Sequence, residues 1–420
     1  SITATFTLKG LFKKEGIHMG RVEVNGGAFH LVSEPGKTKR VTSNIQRIFN
    51  LPGGEDKIAQ PGPSIFDIRK FKVTDFTYTM NSFLPRKGEY SGTGMRYDDL
   101  DIHVGELRGH GMKFTGGKMY ASCDHLDCTE KSGYEMYDLT GECEVGLGKT
   151  LVRNIHLLDP WSDADIPMYS MTYRNAKAFG DFLNNVLIES EIGKGRIAIQ
   201  TITYFSSALA GNGAVVQTEG GHFKGTVSDF NIDNLVFTDI TSGIGGTLNG
   251  GLRGIPDPME MAVDATLSGC HFTTKELKTL LKSVAGITVP ALNGIAPGQK
   301  FTMDATVTGP LNNAKANATL NSTIGQLKAT AGIRNLMAQG KPIDITADID
   351  TKGLDVGKAL GLDIVGPVTL GARASASLGK KMSAKIDSLY IKSAQFLGQE
   401  FNGIKASGSY RPEDFNATLV

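Results

Sequence analysis

The chain contains 420 residues, and its 44 Lys and Arg residues nearly balance its 43 Asp and Glu residues. Because such a chain has no net basic field, we predict no nucleic-acid partner. The length exceeds the usual limit of one hydrophobic core, yet the sequence contains no Pro-rich, Ser-rich or charged linker. We therefore predict one elongated repetitive unit over residues 1–420. A soft subdivision into 1–160 and 161–420 is the alternative.

Alternation of apolar and polar residues predicts strands in the N-terminal quarter. The segment SITATFTL (1–8) alternates strictly, and FDIRKFKVTDFTYT (66–79) alternates with a change of parity after Ile68 and again after Val73. A β-bulge or a tight corner produces such a change of parity. The segment FNIDNLVF (230–237) repeats the device, so we expect bulged strands in both regions.

The cysteines are too few for a disulfide framework. They are Cys123, Cys128, Cys143 and Cys270. Strands predicted on either side of the turn EKSG (130–133) place Cys123 directly opposite Cys143. The pair is then either two buried thiols or, in an oxidising compartment, a disulfide.

Zinc is the third alternative for this region, because His125 lies between the cysteines of the first strand. The spacing of Cys123, His125, Cys128 and Cys143 matches no standard zinc site. We therefore predict no metal site.

The sequence gives no positive sign of catalysis. The segment GLGKT (146–150) resembles a phosphate loop, but the position that needs Gly is occupied by Cys143. Asp159, Asp163 and Asp165 are interpreted as an acidic loop at a strand end, with cation binding as the alternative. The eight histidines form no recognisable catalytic set. We predict a protein that is not an enzyme, with no catalytic residues and no cofactor.

Three segments have apolar residues at helical spacing, and all are short: 173–189, 274–286 and 353–361. In the second, Thr273 or Thr274 is expected to cap the helix. We interpret the helices as lids on sheet edges or plugs at sheet ends. A gating or membrane-touching role is the alternative.

The clearest pattern of the chain lies between Phe301 and Ile349. Apolar and polar residues alternate strictly in four segments, 301–308, 314–320, 327–333 and 343–350. This alternation is typical of strands with one apolar face and one solvent-facing face. Since few long helices are predicted to cover the apolar face, we expect a sheet that curls on itself or holds an apolar ligand.

Several motifs add to the alternating strands. They are EKSGY (130–134), ITYFSSALAG (202–211), GHFKGTVSDFNIDNLVFTDIT (221–241), Leu-Asp-Val-Gly-Lys-x-Leu-Gly (354–361) and FNGIKASG (401–408). In this order they resemble the AsmA-like family, in particular the TamB-type translocation and assembly module of Bacteroidota-like Gram-negative bacteria. The resemblance covers nearly the whole chain.

The resemblance implies a mainly β fold: an elongated curled sheet, the U-shaped β-taco, of repeated and mostly antiparallel strands with a few short helices and an apolar groove. It implies a periplasmic protein whose parent is anchored in the inner membrane, with this chain as a middle section. Members of the family are expected to carry phospholipid toward the outer membrane. The TamB type is also expected to have an outer-membrane BamA-like partner, through regions outside this chain.

We therefore hypothesise a bridge-like lipid transfer protein with phospholipid as its partner. Ten residues are expected to line the lipid groove: Phe301, Met303, Val307, Leu320, Leu327, Ile343, Ile345, Ile349, Val368 and Leu370. Alanine-rich faces at 314–320 and 372–376 are expected to leave room for acyl tails. The alternative is a periplasmic scaffold for outer-membrane proteins, which would use open sheet edges for strand addition.

Overall fold

The structure is a computed structural model, in which contacts divide the chain into two units, Ser1–Glu219 and Gly220–Val420. It describes residues 1–6, 17–35, 41–44, 66–82, 94–96, 99–146, 148–174, 178, 181–205, 213–255, 257, 259–285, 295–335, 341–360, 364–378, 383–411 and 414–419. Both units consist mainly of strands, which confirms the predicted mainly β fold class.

The first unit contains β1 to β12 and the start of β13. The strands are β1 (Ile2–Phe6), β2 (Ile17–Pro35), β3 (Val41–Ser43), β4 (Phe66–Ser82), β5 (Asp99–Thr115), β6 (Lys118–Glu130), β7 (Tyr134–Met136), β8 (Asp138–Gly146), β9 (Lys149–Leu158), β10 (Asp163–Thr172), β11 (Leu187–Ile192), β12 (Gly195–Ala198) and β13 (Val215–Gly225).

Pairing in the first unit is antiparallel with one exception among the described strands. β2 and β4 run parallel, from Ile17 opposite Phe66 to Ser33 opposite Ser82. The pairs β4–β5, β5–β6, β6–β8, β8–β9 and β9–β10 are antiparallel. Residues 160 and 161, where the sequence suggested a soft subdivision, therefore lie in the hairpin turn between β9 and β10, and the division into units comes after Glu219.

The changes of parity in the sequence correspond to different features in the two strands. In β4, Asp75 adopts a positive φ of 52°, but the pairing with β5 keeps its register on either side of it, with Thr74 opposite Glu106 and Phe76 opposite Val104, so this strand kinks without the predicted bulge. In β14 (Asp229–Asp239), the predicted bulge is present: Asn234 has a φ of 51° at a shift of register between Ile232 and Leu235. The residue inserted there restores the facing of the apolar side chains that follow, so β14 keeps a single apolar face.

The second unit contains the rest of β13 and a meander of antiparallel strands. The strands are β14, β15 (Gly245–Arg253), β16 (Ala262–Thr273), β17 (Lys300–Pro310), β18 (Asn313–Ser322), β19 (Gly325–Arg334), β20 (Ile343–Lys352), β21 (Leu354–Asp355), β22 (Val365–Leu378), β23 (Ser383–Phe396), β24 (Gln399–Arg411) and β25 (Asp414–Leu419). Each strand from β14 to β20 pairs with the next, β20 and β21 both pair with β22, and β22 to β25 continue the meander. The four alternating segments of the sequence are β17 to β20, as predicted.

Four short helices accompany the strands in the described residues: α1 (Phe182–Asn185), α2 (Ile199–Phe205), α3 (Thr274–Ala285) and α4 (Val356–Leu360). The helices predicted at 274–286 and 353–361 are confirmed as α3 and α4. The helix predicted over 173–189 is wrong in extent, because only α1 is helical there and β11 begins at Leu187; residues 175–177, 179 and 180 lie outside the described residues. The helix α2 was not predicted from the sequence.

A reciprocal capping box begins α3. The Thr273 N–H donates to Glu276 Oε2 at 2.6 Å, and the Glu276 N–H donates to Thr273 Oγ1 at 3.3 Å. Two backbone donors at the start of the helix are thereby satisfied. Of the two predicted caps, Thr273 is the one that makes these bonds.

Each unit has a compact cluster of buried side chains. In the first unit, Tyr134 is 1% exposed and packs on Tyr204 of α2, which also stacks on Trp161 with ring centroids 5.4 Å apart. In the second unit, Phe272 and Phe301 are buried beneath Leu277 and other residues of α3. The described part of the chain contains no helix with the length and hydropathy needed to cross a bilayer.

Candidate functional site

A continuous row of apolar side chains crosses the strands of the second unit. Directly paired residues on successive strands from β14 to β24 form it: Leu235, Leu248, Leu267, Ala305, Ala318, Ala329, Ile349, Ala372, Leu389 and Ala406. We call these ten residues the apolar row. Every one of them is only half-buried. The row is therefore a surface that the protein itself covers in part.

The opposite face of the same strands is polar and exposed. The Thr330 hydroxyl donates to Asn317 Oδ1 at 2.9 Å across β18 and β19. The Arg373 guanidinium donates from Nε to Asp348 Oδ1 at 2.6 Å across β20 and β22. The polar side chains of this face form hydrogen bonds with one another or with solvent. The apolar face is therefore the one whose exposed side chains need a binding partner.

The ten predicted groove residues divide into two groups. Phe301 and Val368 are buried, at 8% and 7% exposure, and the other eight are half-buried. Met303 and Leu320 pack with Phe301 against the cluster beneath α3. At these three positions, the side chains pack into the buried cluster beneath α3.

Of the other seven predicted positions, Val368 is buried and six are half-buried. Ile349 belongs to the apolar row, and Val307 pairs with Ala316 beside it. Leu327 pairs with Leu320, and Leu370 pairs with Ile391. Ile343 pairs with Leu378, and Ile345 pairs with Ala376. The register therefore brings these side chains onto one face, as the alternation predicts.

A cavity of about 450 Å³ lies beside the apolar row on β20 to β24. Most of the residues that line it are small or apolar, and they include Ile345, Ala374, Ala376, Ala384, Ile386 and Ala406. Ala376 pairs with both Ile345 and Ala384, so the side chains form a second cross-strand row. Alanine at these positions leaves the space that a larger side chain would fill.

The cavity lies toward the C-terminus from most of the predicted groove residues. Of the ten predicted residues, only Ile345 lines the cavity, although the alanine-rich segment 372–376 was expected to leave room. The lining residues Ala384, Ile386 and Ala406 were missed. A signal for the first two was present, because β23 has the same pairs of apolar residues separated by two-residue gaps as the bulged segment 230–237.

Exposure of the apolar face increases from α3 toward β24. Phe272 is 5% exposed, whereas Ile386 is 44% exposed and Phe401 is 40% exposed. The face is therefore more deeply buried beneath α3 than on β23 and β24. Large apolar side chains at this exposure are typical of a surface that binds an apolar partner.

The predicted pairing of Cys123 with Cys143 is wrong by two residues. Glu130 pairs with Tyr134 around a loop that contains Gly133 at a φ of 93°, so Cys123 lies opposite Gly141 and Cys143 lies opposite Ala121. Both thiols are free, as are those of Cys128 and Cys270. Burial raises the pKa of the Cys123 and Cys128 thiols to about 11.

Two histidines of the first unit contact nearby aspartates on the same or a neighbouring strand. His125 contacts Asp138 through Nδ1 at 2.6 Å and Asp127 through Nε2 at 3.0 Å. His156 contacts Asp165 through Nδ1 at 2.9 Å. Within the ranges that the structure describes, no three His, Cys, Asp or Glu residues are arranged to hold a metal ion.

Asp159 is a buried structural acceptor. Its Oδ1 accepts the N–H groups of Trp161 and Ser162 at 2.8 and 2.6 Å, and its Oδ2 accepts the Thr201 hydroxyl at 2.7 Å. Burial, followed by the nearby charge of Asp159, raises the pKa of Tyr134. The carboxylate therefore fastens α2 to the turn before β10, and only Asp163 and Asp165 remain as exposed acidic residues of the predicted loop.

Comparison with protein-family models, curated proteins and solved structures finds no match to this chain.

Proposed function

We propose that the chain is a non-enzymatic lipid-transfer protein that carries phospholipid acyl chains along the apolar row of its second unit. The observation that carries the proposal is the row itself: ten directly paired apolar residues, all half-buried, beside an open cavity on β20 to β24. Following the resemblance, we place this activity in the periplasm between the inner and outer membranes, with a parent protein anchored in the inner membrane.

Energetics support an apolar conduit for this cargo. A phospholipid has on the order of thirty methylene groups, and exposing each to water costs ~0.8 kcal/mol. Transfer through water is therefore slow, whereas a surface that covers the acyl chains lowers the barrier. No covalent bond changes in such a transfer, so the function needs apolar surface and no catalytic group.

The apolar row is long enough to hold an extended acyl chain. Neighbouring strands lie ~4.8 Å apart, so ten successive residues span roughly 43 Å. One leaflet of a bilayer has a hydrocarbon depth of about 15 Å, half that of the bilayer. The row is longer than one tail, which favours a path across successive strands over a single closed pocket.

The experiment compares two double variants of the full chain. Ile345→Asp with Ala374→Asp introduces carboxylates into the cavity, and Thr346→Asp with Ser388→Asp introduces them at exposed positions of the polar face. Each protein is purified without detergent, its fold is checked by circular dichroism, and co-purified lipid is quantified by mass spectrometry.

We expect phospholipid with the wild type and the polar-face variant, and a loss of roughly tenfold or more with the cavity variant, because a carboxylate is costly in an apolar environment. Equal lipid content in both folded variants would contradict the proposal. Absence of lipid from the wild type, together with photocrosslinks from β1 or β25 to nascent outer-membrane strands, would favour the scaffold alternative.

A further inference from the structure

The helix α3 presents a stripe of lysines on the side opposite its apolar contacts. Lys275, Lys278 and Lys282 are spaced by three and four residues, so they lie on one face of the helix. At 100° per residue, this face lies roughly opposite the one that carries Leu277 and Leu280.

The apolar side of α3 is already occupied. Leu277 and Leu280 pack against the buried cluster of Ile244, Phe272 and Phe301. The helix is therefore held on the sheet by its leucines, and its lysines are directed away from the sheet. Lys275 and Lys282 are exposed, and Lys278 is half-buried.

The lysines have no acidic partner among the residues that the structure describes. Glu276 is the acidic residue of the first turn, and its carboxylate is engaged by the Thr273 N–H in the capping box. It also projects from a different side of the helix than the lysine stripe. The stripe is therefore a local concentration of positive charge on a chain that is nearly neutral as a whole.

From this arrangement we infer that α3 docks the second unit on an anionic phospholipid bilayer, with Lys275, Lys278 and Lys282 facing the headgroups. Charge complementarity identifies the partner, because lysines near a membrane surface are attracted to the negative potential of anionic lipids. The inference deepens the proposed function and rests on it: the helix that packs on one end of the apolar face would place that end beside the membrane that donates or receives lipid.

The test uses the full chain and flotation with vesicles. One set contains three parts phosphatidylcholine and one part phosphatidylglycerol, and the other contains phosphatidylcholine alone. The docking variant is K275Q/K278Q/K282Q, in which glutamine preserves helix propensity and removes charge. The control variant is K315Q/K328Q/K352Q, which removes the same charge from exposed strand positions of the same unit.

At low salt, we expect the wild type and the control variant to float with the anionic vesicles and not with the neutral ones. The docking variant should bind the anionic vesicles roughly 100-fold more weakly, since each lysine near an anionic surface contributes about a fivefold gain in affinity. High salt should release the wild type, because it screens exposed charges.

Equal binding by the docking variant and the wild type would overturn the inference, as would equal binding of the wild type to neutral vesicles or no binding to either set. Lipid that co-purifies with each protein is measured in parallel. If the wild type retains lipid but does not float, the docking surface alone is rejected. If the wild type floats but holds no lipid, the proposed transfer function alone is rejected.

Discussion

Phe272 on β16 and Phe301 on β17 are directly paired, and their rings stack with centroids 5.7 Å apart and planes inclined by 28°. Both rings are buried, and Ile244 packs with them. Leu277 and Leu280 of α3 complete the cluster. The apolar face of the second unit is therefore anchored at this end, while the same face stays open on β23 and β24.

Truncation of an anchoring ring should cost much more than truncation of an open position. We expect Phe301→Ala to lower the free energy of unfolding of the second unit by ~3–5 kcal/mol, as is usual for a buried aromatic residue. Ile386→Ala, at 44% exposure, should cost about 1 kcal/mol. Urea unfolding monitored by circular dichroism measures both, and similar costs would show that the two ends of the face are packed alike.

Period-two alternation allowed the strands of the second unit to be predicted well, because a strand with one covered face must alternate. The segments 301–308, 314–320, 327–333 and 343–350 all lie within single observed strands. The bulge at Asn234 was also predictable, since one inserted residue is the simplest way to restore the facing of later apolar residues, whereas the same pattern in β4 accompanies a kink at Asp75 without an inserted residue.

Other features depend on contacts that no local pattern reveals. The segment of α2 contains Thr201, Ile202 and Thr203, whose β-branched side chains favour strands. The segment is nevertheless helical, because the Thr201 hydroxyl donates to Asp159 and Tyr204 stacks on Trp161. Tertiary contacts override local propensity here.

The predictions of the cysteine register and of the cavity-lining residues failed for a different reason. Pairing of Glu130 with Tyr134 depends on the conformation of one loop, and a change of loop length shifts every later pair. In β23, bulges interrupt the strict alternation from which the groove residues were chosen, so Ala384 and Ile386 were not among them. Small local departures from regular strand geometry therefore concealed the part of the face where the cavity lies.

The buried carboxylate of Asp159 should control the docking of α2. We expect Asp159→Ala to lower the free energy of unfolding of the first unit by about 3 kcal/mol, because it leaves buried donors without an acceptor. The chain has one tryptophan, Trp161, which stacks on Tyr204 of α2. Its fluorescence should shift to longer wavelength in the variant as the indole becomes exposed.

Asp163→Ala provides the matched control, since Asp163 is an exposed residue of the same acidic segment. Its effect should stay within about 0.5 kcal/mol, with unchanged tryptophan emission. If both variants left the Trp161 spectrum unchanged, Asp159 would have no part in holding α2.

The bulge in β14 should tolerate glycine and reject a β-branched residue. Asn234 has a φ of 51°, and its N–H donates to Asn249 Oδ1 at 2.8 Å. We expect Asn234→Val to cost ~1–2 kcal/mol and Asn234→Gly to be close to neutral, because only small or polar residues adopt this conformation readily. Asn231→Val, at a regular exposed position of β14, should be neutral, and thermal unfolding of the three variants tests the difference.

Thiols of the first unit should be slow to react near neutral pH. Burial is the main cause that raises the pKa of Cys123 and Cys128 from 9.0 to about 11. At pH 8, about one thiol in a thousand is then a thiolate, compared with about one in ten for an exposed thiol. Iodoacetamide should therefore label these cysteines roughly 100-fold more slowly than a cysteine introduced at exposed Ser388.

The same shift gives the pH dependence of stability a definite sign. The folded state favours the neutral thiols, so their contribution is complete below pH 9.0 and is lost as the pH rises toward about 11. Replacing Cys123 and Cys128 with alanine should flatten the loss of stability between these values in urea unfolding experiments. If the wild type loses no more stability over this pH range than the double variant, the two thiols are not shielded from solvent. Labelling of Cys123 and Cys128 at pH 8 as fast as labelling at position 388 would show the same.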